Sequence, residues 1–154
     1  MLEKILKRGA DRTLINQLVK RFSLLTKKKI IECPQVEGVI YFLNYFKNKV
    51  PLYLLSATPQ AELNEIVIKT NLDKYFNGIY GAPIDKSNVL NKIIFNEKIN
   101  SNETVFFGDS ISDQISAEKA NVKFIGIKTN KNNPVSSKIV LKNYFEFFDK
   151  IYND

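Results

Sequence analysis

The sequence predicts an α/β fold in three layers, a parallel β-sheet covered by helices on both faces. Three observations predict it. From Val50 onward, short apolar runs alternate with segments of helical periodicity, the pattern of βαβ units. Those runs, among them Leu52-Tyr53-Leu54-Leu55 and Val105-Phe106-Phe107, are apolar at successive positions, as strands buried on both faces are. The length of 154 residues suits one domain with a substantial core.

The elements follow in order. Leu2, Ile5 and Leu6, then Leu14, Ile15, Leu18, Val19, Phe22 and Leu25, recur at helical spacing. Gly9-Ala10-Asp11 is expected to separate two helices, with Asp11 as the second one's N-cap. Lys27 to Pro34 is expected to be a linker, and Pro34 to open a helix whose apolar face is Val36, Val39, Ile40, Leu43 and Phe46. Residues 51–55 predict a first strand, followed by a helix bearing Leu63, Ile66 and Val67. Ile79-Tyr80 predicts a second strand, and residues 87–99 a helix with Val89, Leu90, Ile93 and Ile94. Residues 104–107 predict a third strand, 111–120 a helix, 122–127 a fourth strand, 139–141 a last strand and 143–152 a last helix.

Composition removes several chemistries. There is no histidine and one cysteine, Cys33. Histidine-based triads, histidine metal sites, thiolate zinc sites and an internal disulfide are excluded within this sequence. No apolar run reaches the ~18 residues of a membrane span. The first residues, with Glu3 among them, do not read as a secretory signal, and a cytoplasmic location is expected. The net charge of +7 invites an acidic partner. Its basic residues are scattered, however, with Lys27-Lys28-Lys29 the only tight run, and no glycine-aromatic RNA signature occurs. A solvated lysine-rich surface explains the charge better than nucleic-acid binding.

In open α/β sheets, ligands bind beyond the carboxyl ends of the strands. Ser56-Ala57-Thr58 follows the first strand. It reads either as a phosphate cradle at a helix N-terminus or as a cap, Thr58 preceding a helix begun by Pro59. Lys86 opens the helix after the second strand, where a cation opposes the helix dipole unless an anion sits nearby. Gly108-Asp109-Ser110-Ile111-Ser112-Asp113 follows the third. Asp109 and Asp113 lie about one helical turn apart, and two carboxylates without nitrogen or sulfur donors suit Mg²⁺. The alternative is a capping box of Ser110 and Asp113.

Together these residues form one ordered set. Leu54-Leu55-Ser56, Lys86, Phe106-Phe107-Gly108-Asp109-Ser110-Ile111-Ser112-Asp113, Ala120-Asn121-Val122 and Ile125-Gly126-Ile127 resemble the haloacid dehalogenase (HAD) superfamily of phosphohydrolases, phosphoglycolate phosphatase-like members in particular. The resemblance runs from about Pro34 to Ile127. It implies a Rossmann-like core in which Ser56 and the Ala57 amide bind a phosphoryl group, Lys86 neutralises it, and Asp109, supported by Asp113, holds Mg²⁺. Ser87 follows the lysine, where many relatives carry proline. The implied activity is Mg²⁺-dependent hydrolysis of a small phosphomonoester.

One family motif has no counterpart. The family's central strand ends in Asp-x-Asp, which supplies the nucleophile and the general acid, and no Asp-x-Asp occurs in this sequence. Residues 1–33 are expected to be a helical cap-domain remnant and linker, and residues 34–154 a core lacking that first, central strand. The chain by itself is then expected to be inactive, with a non-catalytic phosphate-binding or interaction module as the alternative. Without the strand, those ending at Ser56 and Gly108 would lie two spacings apart, ~9.5 Å instead of ~4.8 Å. The expected remedy is direct pairing of the two, or edge-to-edge association into a homo-oligomer, in preference to filling by residues 28–33.

Overall fold

The computed structural model describes residues 12–128, 135 and 137–152. The expected break at Gly9-Ala10-Asp11 lies outside them. The first described element, α1, is Arg12–Glu32. It overruns the expected linker, because Lys27-Lys28-Lys29-Ile30-Ile31 contains no helix breaker. Lys29 in the last turn suits the negative end of the dipole, and Pro34 stands just beyond the end. No residue of α1 is buried. The helix is held to the next layer by the Lys27–Glu65 ion pair at 2.6 Å and by Ser23 donating to Glu62 at 2.5 Å.

Helix α2 is Val39–Phe46. It starts five residues later than Pro34, after Gly38 with φ of 79°. A Cβ at Gly38 would stand 2.9 Å from the Phe145 backbone nitrogen, so both the left-handed turn and the close approach require glycine. The remaining order is β1 (Tyr53–Pro59), α3 (Gln60–Lys69), β2 (Gly78–Ala82), α4 (Lys86–Glu97), β3 (Val105–Gly108), α5 (Ile111–Lys119), β4 (Lys123–Ile127), β5 (Val140–Leu141) and α6 (Phe145–Tyr152). From β1 onward the alternation matches the sequence expectation element by element, with no boundary moved by more than four residues.

Strands β1 and β2 pair in parallel, as do β3, β4 and β5 in the order β3-β4-β5. Between them the sheet is split. Strands β1 and β3 do not pair, which corrects the expected closure by direct pairing within the chain. The segment 28–33 does not fill the gap either, since α1 runs through Glu32.

Two apolar clusters cover the sheet. Phe106 and Phe107, adjacent on β3, point to opposite faces as strand geometry dictates. Phe107 packs with Phe42, Tyr144 and Phe147 on the α2/α6 side. Phe106 packs with Leu90, Ala117, Ala120 and Val122 on the α4/α5 side. The arrangement is the three-layer sandwich expected. Among the described residues, no helix is long and apolar enough to cross a membrane.

Candidate active site

The carboxyl ends of β1 and β3 open on one cavity of about 510 Å³. Ser56, Ala57, Lys86, Asp109 and Asp113 all line it, so the five residues to which the resemblance gives a role come to the same place, while Thr58 does not line it.

On the β1 side, the pairing with β2 slips between Leu55 and Pro59. Ser56, Ala57 and Thr58 therefore have no cross-strand partner in the register. The Ser56 hydroxyl accepts the Thr58 N–H at 3.1 Å and donates to the Thr58 hydroxyl at 3.0 Å. Thr58 does not cap α3; the N-cap is Pro59, without a side-chain bond. The capping alternative for this segment is thereby removed. Gln60 ties the segment to β2 instead, accepting the Gly81 N–H at 2.6 Å and donating to the Ile79 carbonyl at 3.2 Å.

Lys86 is the first residue of α4. Asp85 caps that helix, accepting the Ser87 N–H at 2.8 Å and the Asn88 N–H at 3.2 Å. The Ser87 hydroxyl and these amides hold the Asp85 carboxyl below its ordinary range. The anion that offsets Lys86 against the helix dipole is Asp113, whose Oδ1 lies 2.5 Å from the lysine Nζ. Both side chains are largely buried, 16% and 7% exposed, so neither charge could lose its partner without a large penalty.

On the β3 side, Gly108 lets α5 close on the strand. A Cβ there would meet the Asp113 Cβ at 2.5 Å. Ser110 is the N-cap of α5 and accepts the Asp113 N–H at 3.1 Å. The Ser110 hydroxyl also donates to Asp113 Oδ2 at 2.6 Å. The cap reading thus describes Ser110, and both Asp113 oxygens have donors, Lys86 on one and Ser110 on the other. Asp109, at the strand tip, is exposed.

The donor set fits Mg²⁺. The ion takes oxygen ligands, commonly one or two carboxylates with waters and a substrate phosphate, and Asp109, an exposed residue, lines the cavity. Among the described residues no group of three or more His, Cys, Asp or Glu gathers to hold a metal.

Tyr144 is the residue that sequence reasoning missed. It lines the cavity from beyond β5, with its N–H on the Glu37 carbonyl at 2.9 Å. Burial, reinforced by the Asp109 charge, pushes its phenol up to about 12. No local motif marks it, because its neighbours in space are far away in sequence. A second cavity of about 740 Å³ adjoins the first, sharing Ser56, Ala57 and Lys86 and adding Pro83, Ile111 and Ile115.

Comparison with known proteins agrees with this geometry. The family model for haloacid dehalogenase-like hydrolases matches residues 1–127. Among solved structures, a HAD-superfamily hydrolase of subfamily IA, variant 1, from Geobacter sulfurreducens superposes with a TM-score of 0.69 at 24% identity, covering 81% of this chain and 60% of that one. A haloacid dehalogenase-like family hydrolase from Streptococcus pneumoniae gives 0.74 at 16% identity over 93% of this chain and 72% of that one. A family IA, variant 3 HAD hydrolase from Entamoeba histolytica gives 0.75 at 15% identity, covering 94% and 72% respectively. The chain therefore spans 60% of the length of the first of these proteins and 72% of the other two. No curated protein matches by sequence. The match over residues 1–127 and the shared fold lead to one conclusion: the chain belongs to the haloacid dehalogenase-like hydrolase family.

Proposed function

We propose that this chain carries the phosphate- and magnesium-binding part of a phosphomonoesterase site, and that by itself it binds a small phosphorylated molecule without turning it over. The observation that supports this reading best is the meeting of Ser56, Ala57, Lys86 and Asp109 in one cavity at the strand ends. The Ser56 hydroxyl and Ala57 amide bind phosphoryl oxygens. Lys86, oriented by Asp113, offsets their charge. Asp109 holds Mg²⁺, which would neutralise further charge on the phosphate. The second cavity, with Pro83, Ile111 and Ile115, takes the rest of a small substrate.

The absence of turnover follows from the carboxylates. Among the described residues, Asp109 and Asp113 are the only ones lining the first cavity. Asp113 is engaged with Lys86 and Ser110, and Asp109 is the cation ligand in this reading. That leaves no group to attack phosphorus and form the covalent intermediate. The alternative, a phosphate-binding module with no catalytic role, shares this observation. Residues 1–33 and 34–154 divide into a cap-derived helical part and the core, as the absence of buried residues in α1 favours. A single cysteine, exposed and unpaired, suits the cytoplasm.

Calorimetric titration with inorganic phosphate in the presence of Mg²⁺, beside hydrolysis of p-nitrophenyl phosphate, tests the reading. Phosphate binding that weakens at least ~10-fold in Asp109→Ala, with no hydrolysis above buffer, is expected. No phosphate binding would overturn the site, and Mg²⁺-dependent hydrolysis lost in Asp109→Ala would overturn the inactivity.

A further inference from the structure

The second cavity, of about 740 Å³, has walls unlike those of the first. It shares Ser56, Ala57 and Lys86 with the first, so a phosphoryl group held by those residues lies where the two spaces meet. From there the second cavity extends between two walls. One is Ala82-Pro83-Ile84, the link from β2 to α4. The other is α5, on which Ile111 and Ile115 share one stripe, about one turn apart. Lys119 continues that stripe, ~12 Å along the helix from Ile111 at ~1.5 Å per residue. Ile111 is 48% exposed and Ile115 44%. They lie off the core face of α5, where Asp113 and Ala117 are buried. A single exposed isoleucine is ordinary, but two in register, lining one cavity with Pro83 and Ile84, give an apolar surface open to water.

The polar side chains of this lining are mostly committed elsewhere. Asp85 Oδ1 accepts the Ser87 and Asn88 N–H groups at the start of α4. Lys86 is paired with Asp113. The Ser116 hydroxyl donates to the Ser112 carbonyl at 2.7 Å. The Ser112 hydroxyl, the Lys119 ammonium and the other Asp85 oxygen remain, and all three belong to exposed residues that water can serve.

We propose that this cavity selects the ester group of the ligand: it takes the phosphomonoester of an apolar alcohol, alkyl or aryl, in preference to a sugar or polyol phosphate. The hydrocarbon body removes the surfaces of Ile111, Ile115, Pro83 and Ile84 from water, and this burial favours binding without any directional contact. A polyol placed there loses water from its hydroxyls against walls that return few donors or acceptors. The inference rests on the phosphate site proposed above and adds which esters that site accepts.

The test is calorimetric titration of the whole chain, in the presence of Mg²⁺, with pentyl phosphate, ribitol 5-phosphate and inorganic phosphate. The two esters carry the same phosphate on the same length of carbon chain and differ only in hydroxyl groups. Pentyl phosphate is expected to bind at least ~10-fold more tightly than ribitol 5-phosphate. In the double variant Ile111→Asn/Ile115→Asn that ratio should fall below ~3-fold. Because the ratio compares two ligands on one protein sample, a loss of folded material does not by itself erase it. If inorganic phosphate binds, then equal binding of the esters, tighter binding of ribitol 5-phosphate or exclusion of both overturns this inference and leaves the phosphate site standing. A preference that survives in the double variant also overturns it. Binding of none of the three overturns the phosphate site itself, and this inference with it.

Discussion

The two halves of the sheet build their parts of the site in different ways. In the β3 half, every group behind Asp109 is locked. Gly108 admits Asp113 against the strand, Ser110 caps α5 and bonds the same carboxylate, and Lys86 closes the cluster at 2.5 Å. In the β1 half, Ser56 to Thr58 leave the ladder at a register slip, and α3 begins without a side-chain cap. A buried ion pair and a cap fix the cation side, whereas the phosphate side rests on a local hydroxyl turn and on Gln60. Preorganisation is thus concentrated where charge is buried, and the strand edge next to the split is the more adaptable wall.

The largest effect expected from breaking this contrast is in Asp113→Ala. It leaves Lys86 buried without its anion and should destabilise the chain by roughly 3–5 kcal/mol, read as a lower urea midpoint. A change below ~1 kcal/mol would mean that the lysine swings into solvent and the β3 half is not locked. Next is Gly108→Ala, whose methyl would overlap Asp113. Overpacking of this kind costs ~1–3 kcal/mol, and circular dichroism melts would show it. Ser110→Ala removes a cap and a carboxylate donor, for a loss of ~1 kcal/mol. Ser56→Ala, in the looser half, should lower stability by less than ~0.5 kcal/mol while weakening phosphate binding. Equal destabilisation by the two serine changes would erase the distinction.

Alkaline titration sharpens the comparison, because each half holds a tyrosine whose phenol is pushed up to about 12. Tyr144 is raised by burial and then by Asp109. Tyr53, on β1, is raised by burial and then by its hydrogen bond to Glu97. A raised pKa means that the folded chain holds the proton more tightly. The associated stability is complete below the unfolded value near 10 and is lost as pH climbs from about 10 to about 12. Tyr144→Phe and Tyr53→Phe should each flatten the fall of the urea midpoint across that window. An unchanged slope in both would show that these phenols are not raised.

The sequence makes the β3 half easier to read, for a physical reason. Asp109, Ser110 and Asp113 lie within one helical turn, where spacing alone fixes geometry. Lys86 carried a hint too, since a cation at a helix start needs an anion, but that this anion is Asp113 depends on how α4 packs against α5. The Thr58-Pro59 pair satisfies the local grammar of a helix start, yet the pairing of Pro59 with Ala82 keeps the chain extended to that point. Lys27 to Glu32 reads as a linker because nothing local distinguishes an exposed lysine-rich turn of helix from a loop, and the structure makes it the end of α1. The absence of Asp-x-Asp points to a gap in the sheet, and among the described residues β1 and β3 do not pair. Tyr144 had no signal at all, being brought to the cavity by β5.

The central claim is that both halves serve one ligand. Amide chemical shifts followed during titration with inorganic phosphate at fixed Mg²⁺ test it most directly. The Ser56 and Ala57 amides and the Gly108, Asp109 and Ser110 amides should move together, with one dissociation constant. Movement confined to one half, or two halves with different dissociation constants, would contradict it.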